Sequence, residues 1–144
     1  MPVLATWLPW ALLSAVFAAL TAVFAKIGLD GIDSDYATLL RTVVIVLTLG
    51  ALIYATGKWQ SPWDLPSKSV AFLVLSALAT GASWLCYFRA LKLGEAAKVA
   101  PIDKLSVVFV AIIAAVFLGE KLSPVNWLGV ALIAAGAVLV AVRI

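Results

Sequence analysis

The sequence predicts an all-α protein that crosses a lipid bilayer five times. Of its 144 residues, 65% are hydrophobic and only 12% are charged, and the mean hydropathy is +1.17. These values lie well outside the range of soluble domains. In hydrocarbon only helices and closed barrels satisfy the polar groups of the backbone, and the apolar residues here form continuous runs, not the alternating pattern of barrel strands. The predicted fold class is therefore a polytopic helical membrane protein.

Five apolar stretches have the length that a membrane helix needs, roughly 17 to 25 residues. They cover about residues 7–28, 36–56, 69–91, 101–118 and 124–142. The first stretch has no basic region before it and is too long for the apolar part of a cleaved signal peptide, so we interpret it as a span. No linker or soluble domain is left over. Residues 1–144 are predicted to form a single membrane domain.

The residues between these stretches are typical of helix ends. Residues 33–35 (Asp-Ser-Asp) offer side-chain oxygens to cap the second helix, and Ser123 followed by Pro124 is a typical helix start. Glycines follow three of the helices, at Gly57, Gly94 and Gly119. The longest connection, residues 58–68, holds two tryptophans and two prolines and is predicted to lie at the headgroup level of the membrane.

Composition also excludes several classes of function. Ten Lys and Arg against seven Asp and Glu give a net charge of +3, which is too small and too dispersed for nucleic-acid binding. The chain has no histidine and a single cysteine, Cys86, within an apolar run, which removes the usual zinc and thiol–imidazole chemistries. Paired carboxylates at enzyme-like spacing and glycine-rich phosphate loops are missing. We expect no catalytic activity, no cofactor and no metal.

Charged residues within the spans are the first candidates for function. A charge at the centre of a bilayer costs at least about 2.5 to 3.5 kcal/mol. Arg41 is predicted to lie about 7.5 Å inside the second span, at 1.5 Å per residue, and to need a partner or an aqueous cavity. Lys26 and Arg89 lie near the ends of their spans, where reaching out to the headgroups explains them equally well.

Asp103 and Lys104 form a second candidate set. If Pro101 begins the fourth helix, Asp103 lies in its first turn, within a segment that is otherwise apolar. In one interpretation Asp103 interacts with the free N–H groups of that turn while Lys104 extends to the headgroups. In the other, the pair lines a cavity together with Lys26, Arg41 and Asp30.

The third span places hydroxyl groups on one helical face, beside Trp84 and Phe88. The hydroxyl residues recur at i, i+4, i+7 and i+11: Ser76, Thr80, Ser83 and Tyr87. In lipid such a face turns inward, either to bind neighbouring helices or to line a substrate path. Serine and threonine hydroxyls also bond the carbonyl four residues earlier, so helix packing remains an equal alternative.

The fifth span carries small residues on two sides. Gly129 and Gly136 lie seven positions apart on one face, and Ala131 and Ala135 lie four apart on roughly the opposite face. Small residues allow neighbouring backbones to approach closely in membranes. The spacing leaves open whether either face packs within the chain or against a second copy.

Several segments of the sequence resemble the EamA-type members of the drug/metabolite transporter superfamily, in their single-domain, five-span form. The matching segments are AKIGL at 25–29, RT at 41–42, YFRALKLG at 87–94, PIDKLS at 101–106, FLGEKL at 117–122 and WLG at 127–129. The resemblance covers essentially the whole chain, and FLGEKL with WLG is its most characteristic part. It implies a multi-pass protein of the inner (cytoplasmic) membrane that transports a small metabolite.

The chain also departs from related families. Larger relatives have ten spans built from two such halves, and many carry a proline in the fourth span near the position of Val107. The small multidrug resistance proteins use an acidic residue in the middle of the first span to export cations. Ser14 and its neighbours supply no acid here, which argues against export of cationic drugs.

The number of spans predicts how a half-sized chain would work. An odd number places the termini on opposite sides of the membrane, so duplication yields an inverted repeat with the substrate site at the repeat interface. A single half needs a second copy, and the weak Lys/Arg bias between its loops permits both orientations. We therefore predict that the chain is half of an inverted-repeat transporter and acts as a homodimer by alternating access. In one possible arrangement the two copies are antiparallel.

The predicted substrate is a small anionic or zwitterionic molecule, because cations outnumber the embedded acids. The predicted substrate-binding residues are Lys26, Arg41, Ser83, Tyr87, Asp103 and Lys104. The alternative is a membrane scaffold or assembly subunit that transports nothing, in which the same charges and hydroxyls serve only helix packing.

Overall fold

Helices form nearly all of residues 6–142, the part of the chain that the computed structural model describes. They are α1 (Leu8–Gly28), α2 (Ser34–Ala55), α3 (Ser67–Leu93), α4 (Ala96–Asp103), α5 (Ser106–Phe117) and α6 (Pro124–Ala141). One turn of 3₁₀ helix, Pro62–Asp64, interrupts the connection between α2 and α3. Within this range the structure contains no β-strand. The all-α prediction is confirmed.

Five helical segments of the described chain are long and apolar enough to cross a membrane. Four of them are α1, α2, α3 and α6, and the fifth is Ala96–Phe117, which comprises α4 and α5 together. Most of the large apolar side chains on these helices lie on the outer surface of the chain. Such a surface is stable in lipid and not in water. The prediction of five membrane helices is confirmed.

The prediction that Pro101 begins the fourth helix is wrong, because helix α4 begins at Ala96. Pro101 therefore lies inside α4 and Asp103 is its last residue, not a residue of its first turn. Proline has no N–H to donate to the carbonyl four residues earlier, and its ring strains the helix. The next turn is hydrogen-bonded as in a 3₁₀ helix, to the carbonyl three residues earlier. The N–H of Lys104 donates to Pro101 O at 3.1 Å, and that of Leu105 donates to Ile102 O at 3.0 Å. The fourth span is consequently a broken helix that resumes at Ser106.

The predicted helix caps are confirmed. Asp33 Oδ1 accepts hydrogen bonds from the backbone N–H groups of Asp35 at 2.9 Å and Tyr36 at 3.0 Å. Ser123 Oγ accepts one from the N–H of Asn126 at 3.2 Å. These bonds satisfy N–H groups that have no partner within a helix. They mark where α2 and α6 begin.

Gly57 ends α2 in a conformation that favours glycine. Its φ is +64°, which is in the left-handed region that residues with a Cβ rarely adopt. The N–H of Lys58 donates to Ile53 O at 3.1 Å and that of Gly57 to Tyr54 O at 3.2 Å. This pair of bonds is the Schellman motif, which satisfies the last carbonyls of a helix.

The helices divide into two compact units. The first unit comprises residues 6–24 and 93–142 of the described chain, and in it α6 packs against α4 and α5. Its buried side chains are small and include Ala111, Ala114 and Ala137. The second unit comprises residues 25–92, which contain the end of α1, all of α2 and nearly all of α3. Leu29, Phe88 and Leu91 are buried there.

Candidate functional site

The guanidinium group of Arg41 lies against two aromatic rings of α3. Its Cζ atom is 4.1 Å from the centroid of the Trp84 ring and 5.5 Å from that of Phe88. Trp84 and Phe88 are four residues apart on α3 and therefore lie on the same helical face. Phe88 is only 3% exposed, so this second ring is itself fixed by packing. Arginine stacks in this way because its cation is planar and weakly hydrated.

The Nη1 atom of Arg41 is buried and has no hydrogen-bond partner within residues 6–142. Arg41 lies seven residues after the start of α2 at Ser34, which is about 10 Å along the helix at 1.5 Å per residue. An unpaired polar group at this depth is costly, and a charged one is more costly. The hydroxyl of Thr38, three residues earlier, donates to Ser34 O at 2.8 Å and does not accept a hydrogen bond from Nη1.

Three other cations of the second unit have partners within that unit. Arg89 binds Asp35 with two parallel hydrogen bonds, Nε to Oδ1 at 2.9 Å and Nη2 to Oδ2 at 2.5 Å. Lys92 Nζ donates to Ile32 O at 2.6 Å, and Lys26 Nζ donates to Leu91 O at 2.6 Å. The carboxylate closest in sequence to Arg41 is thus already committed to Arg89. Arg41 differs from these three cations because its buried Nη1 donor has no partner within residues 6–142.

This arrangement is suited to binding an anion. A guanidinium presents its N–H donors in a planar fork that matches a carboxylate or phosphate, and charge-assisted hydrogen bonds are about twice as strong as neutral ones. Stacking on Trp84 holds the fork in place before a ligand arrives. No group of three His, Cys, Asp or Glu within residues 6–142 is close enough to hold a metal ion.

A polar cavity lies elsewhere in the second unit, where α1 and α3 end. Its volume is about 530 Å³, and its lining residues are Lys26, Ile27, Leu29, Asp30, Gly31 and Lys92. Arg41 does not line it. Of the residues that one sequence interpretation places around a cavity (Lys26, Asp30, Arg41, Asp103 and Lys104), Lys26 and Asp30 line this one. Their role in substrate binding stays a prediction.

The remaining predicted site residues fall into two groups. Ser83 and Tyr87 lie on α3 next to Trp84 and Phe88, and the Tyr87 and Phe88 rings meet edge to face with their centroids 6.5 Å apart. In the same hydroxyl series, Thr80 Oγ1 donates to Ser76 O at 2.8 Å, which is the local bond expected of a packing residue.

Asp103 and Lys104 belong to the first unit and pair with each other. Lys104 Nζ lies 3.1 Å from Asp103 Oδ2. Both residues follow Pro101, at the break between α4 and α5. Broken helices at membrane depth frequently mark substrate paths in transporters, so a role for these two residues in substrate binding stays a prediction.

The model of one protein family, described as the EamA-like transporter family, matches residues 5–142. The chain belongs to this family. It is also 66% identical over 137 residues to a protein of a Sinorhizobium species named "Uncharacterized transporter in cobO 3'region", an alignment that covers 95% of this chain and 97% of that protein. No solved structure matches the chain. Family and relative both point to a membrane transporter, as the sequence predicts.

Two polar residues that sequence reasoning left out of the site, Asp35 and Lys92, are central to the second unit of this EamA-like chain. Asp35 was assigned to helix capping and Lys92 to a loop. The order of the spans could have indicated that these residues lie near the other charged groups, because successive membrane helices alternate in direction. The end of α1, the start of α2 and the end of α3 therefore lie at the same side of the membrane, which brings Asp35 within reach of Arg89.

Proposed function

We propose that this protein is a secondary transporter of a small anionic or zwitterionic metabolite in the cytoplasmic (inner) membrane, and that it works as a homodimer by alternating access. Membership of the EamA-like family supports transport. The proposed negative group of the substrate rests on the Nη1 atom of Arg41, which is buried and has no hydrogen-bond partner within residues 6–142.

The energetic argument for an anionic substrate starts from the free-energy cost of burying Nη1 of Arg41 without a hydrogen-bond partner in the second unit. Removing a charged donor from water without a partner costs several kcal/mol unless an opposite charge replaces the lost hydration. Within the second unit the nearest carboxylate in sequence, Asp35, already binds Arg89. A substrate carboxylate or phosphate that reaches Arg41 would supply the missing partner and gain a charge-assisted hydrogen bond.

The argument for a homodimer starts from the count of five membrane helices. Inverted-repeat transporters build their substrate site between two halves of opposite topology, and a five-helix chain is one such half. The glycine face of α6 leaves room for a neighbour, since a methyl group added at Gly129 or Gly136 would meet no atom within 4 Å. Small-residue faces of this kind let helices of two chains approach closely in lipid.

Uptake into proteoliposomes tests the proposed substrate class. We expect purified protein to take up at least one solute from a panel of small carboxylates, phosphates and amino acids, and not size-matched quaternary ammonium compounds. Each solute is also tested for thermal stabilisation of the protein in detergent, because a ligand that binds the folded state raises its stability. Uptake restricted to the cations would contradict the proposal. Absence of both uptake and stabilisation across the panel would support the membrane scaffold instead.

Cysteine labelling tests the antiparallel form of the homodimer. In a Cys86→Ala background, a single cysteine is placed at the exposed Gln60, in the connection between α2 and α3. If the chain inserts in both orientations, a membrane-impermeant maleimide labels comparable fractions of this cysteine in intact spheroplasts and in inverted vesicles. Labelling from one side alone would exclude the antiparallel arrangement.

A further inference from the structure

The cavity at the ends of α1 and α3 combines two cations with one anion in a small volume. Lys26 and Lys92 supply the ammonium groups and Asp30 supplies the carboxylate. Its volume of about 530 Å³ is within the range of roughly 300 to 1,000 Å³ that is usual for small-molecule sites. Arg41 does not line it.

The backbone holds both ammonium groups in place. Lys26 Nζ donates to Leu91 O and Lys92 Nζ donates to Ile32 O, each at 2.6 Å. An ammonium group has three N–H donors, and the contact with Ile32 uses one of those of Lys92. The two cations are therefore already ordered and lose little conformational freedom when an anionic group binds.

Asp30 is placed to bind a cation. Its carboxylate lines the cavity and makes no ion pair or side-chain hydrogen bond within the part of the chain that the structure describes. The neighbouring acids are engaged, since Asp33 caps α2 and Asp35 binds Arg89. Asp30 thus leaves an acceptor for a hydrogen-bonding cation beside the two lysines.

The position along the helices corresponds to the headgroup layer of a membrane. Lys26 is two residues before the end of α1 at Gly28, and Lys92 is one residue before the end of α3 at Leu93. Both helices are long enough to cross the hydrocarbon core. Basic residues at such ends contact lipid phosphates.

The charge of the cavity selects a neutral ligand over a net anion. The lining contains both signs of charge, two lysines and one aspartate. A ligand with one negative and one positive group therefore matches it better than one with negative charge alone.

We propose that this cavity binds the headgroup of an aminophospholipid, a phosphodiester that carries a primary ammonium group. The phosphate interacts with Lys26 and Lys92, and the ammonium donates hydrogen bonds to Asp30. A soluble phosphodiester with the same ammonium shares this chemistry. The location at the helix ends favours the lipid, whose acyl chains extend along the apolar surfaces of the helices.

Lipid binding to the full chain in detergent tests this proposal. Retention in native mass spectrometry and thermal stabilisation are measured with phosphatidylethanolamine, phosphatidylcholine, phosphatidylglycerol and soluble glycerophosphoethanolamine. We expect phosphatidylethanolamine to be retained several-fold more than phosphatidylcholine, whose quaternary ammonium has no N–H to donate to Asp30. Equal retention of the three lipids would overturn the proposal. Equal stabilisation by the soluble compound would overturn the assignment to a lipid.

Matched variants identify the residues responsible. Lys92→Gln is expected to weaken binding of phosphatidylethanolamine on the order of tenfold, the loss of one charge-assisted hydrogen bond. Asp30→Asn is expected to remove the preference over phosphatidylcholine, whereas Lys68→Gln, in the first turn of α3, changes neither. If Asp30→Asn kept the full preference, the proposed ammonium contact would be wrong, even if Lys92→Gln failed to fold. Lys26 is left unchanged because it is also a predicted substrate residue.

Discussion

Replacing Arg41 with alanine is expected to lower the initial rate of substrate uptake in proteoliposomes by roughly 10- to 100-fold. The physical reason is the loss of a charge-assisted hydrogen bond, which contributes about 1.5 to 3 kcal/mol, where each 1.4 kcal/mol is a factor of ten. Because Nη1 has no partner in the second unit, the substitution breaks no hydrogen bond that this group makes within the unit. The effect should therefore appear in transport more than in stability. Uptake of a substrate identified with the wild-type protein is the measurement.

Three variants control for this result. Arg41→Lys keeps the charge but loses the planar fork and the stacking on Trp84, so we expect an intermediate loss of uptake. Lys68→Ala removes a cation from the first turn of α3 and should leave uptake unchanged. Lys104→Ala tests the predicted role of the Asp103–Lys104 pair in the same assay. If Arg41→Ala kept wild-type uptake, Arg41 would not belong to the substrate site.

Breaking the ion pair between Asp35 and Arg89 is expected to lower the stability of the protein. The pair joins the first turn of α2 to the end of α3 with two parallel hydrogen bonds. Asp35→Asn or Arg89→Gln alone leaves the remaining charge without its partner, and the loss is expected to be modest because the two side chains are 44% and 61% exposed. We expect either single variant to lower the midpoint of thermal unfolding in detergent, measured by tryptophan fluorescence.

A double-variant cycle isolates the pair. The combination of Asp35→Asn with Arg89→Gln should unfold at a higher temperature than the sum of the single effects predicts, because it leaves no unpaired charge. Reversing the charges should recover only part of the stability, since the acid then lies at the end of α3 and the cation at the start of α2, both unfavourable to the helix dipoles. Lys98→Gln, which removes the short-range pair with Glu95, is the control. Strictly additive effects would mean that the two residues act independently.

Arg41 and Arg89 illustrate what sequence could and could not predict about the candidate site. Both are arginines within or at the edge of apolar spans, and the sequence marks both as costly. Their different contacts depend on neighbours that are distant in sequence. Arg89 binds Asp35, which lies 54 positions away, and Arg41 lies against the ring of Trp84. Without knowing which helix faces pack together, the sequence does not indicate which arginine remains unpaired.

The fourth span shows a similar limit for the fold. Hydropathy marks the residues that lie in hydrocarbon, and on that basis the span was placed at 101–118. The helix begins earlier, at Ala96, because residues before the apolar run also favour helix and continue it toward the aqueous side. Pro101 removes only the hydrogen bond to Ala97 O, in the turn before it. The break lies after Pro101, at residues 104–105, and the separate helix α5 from Ser106 depends on how that turn is hydrogen-bonded.

Sequence alone determined that this is an all-α membrane protein with five spans, that α2 and α6 are capped where Asp33 and Ser123 stand, and that the chain resembles the EamA-type transporters. These properties are local or additive: hydropathy sums along a segment, and a cap depends on residues three positions apart. The tertiary structure decided that Arg89 binds Asp35, that Lys92 joins Lys26 and Asp30 around a cavity, and that Arg41 has a buried donor without a partner among residues 6–142. Each of these depends on the rotation of one helix against another, which is set by packing between residues far apart in the chain.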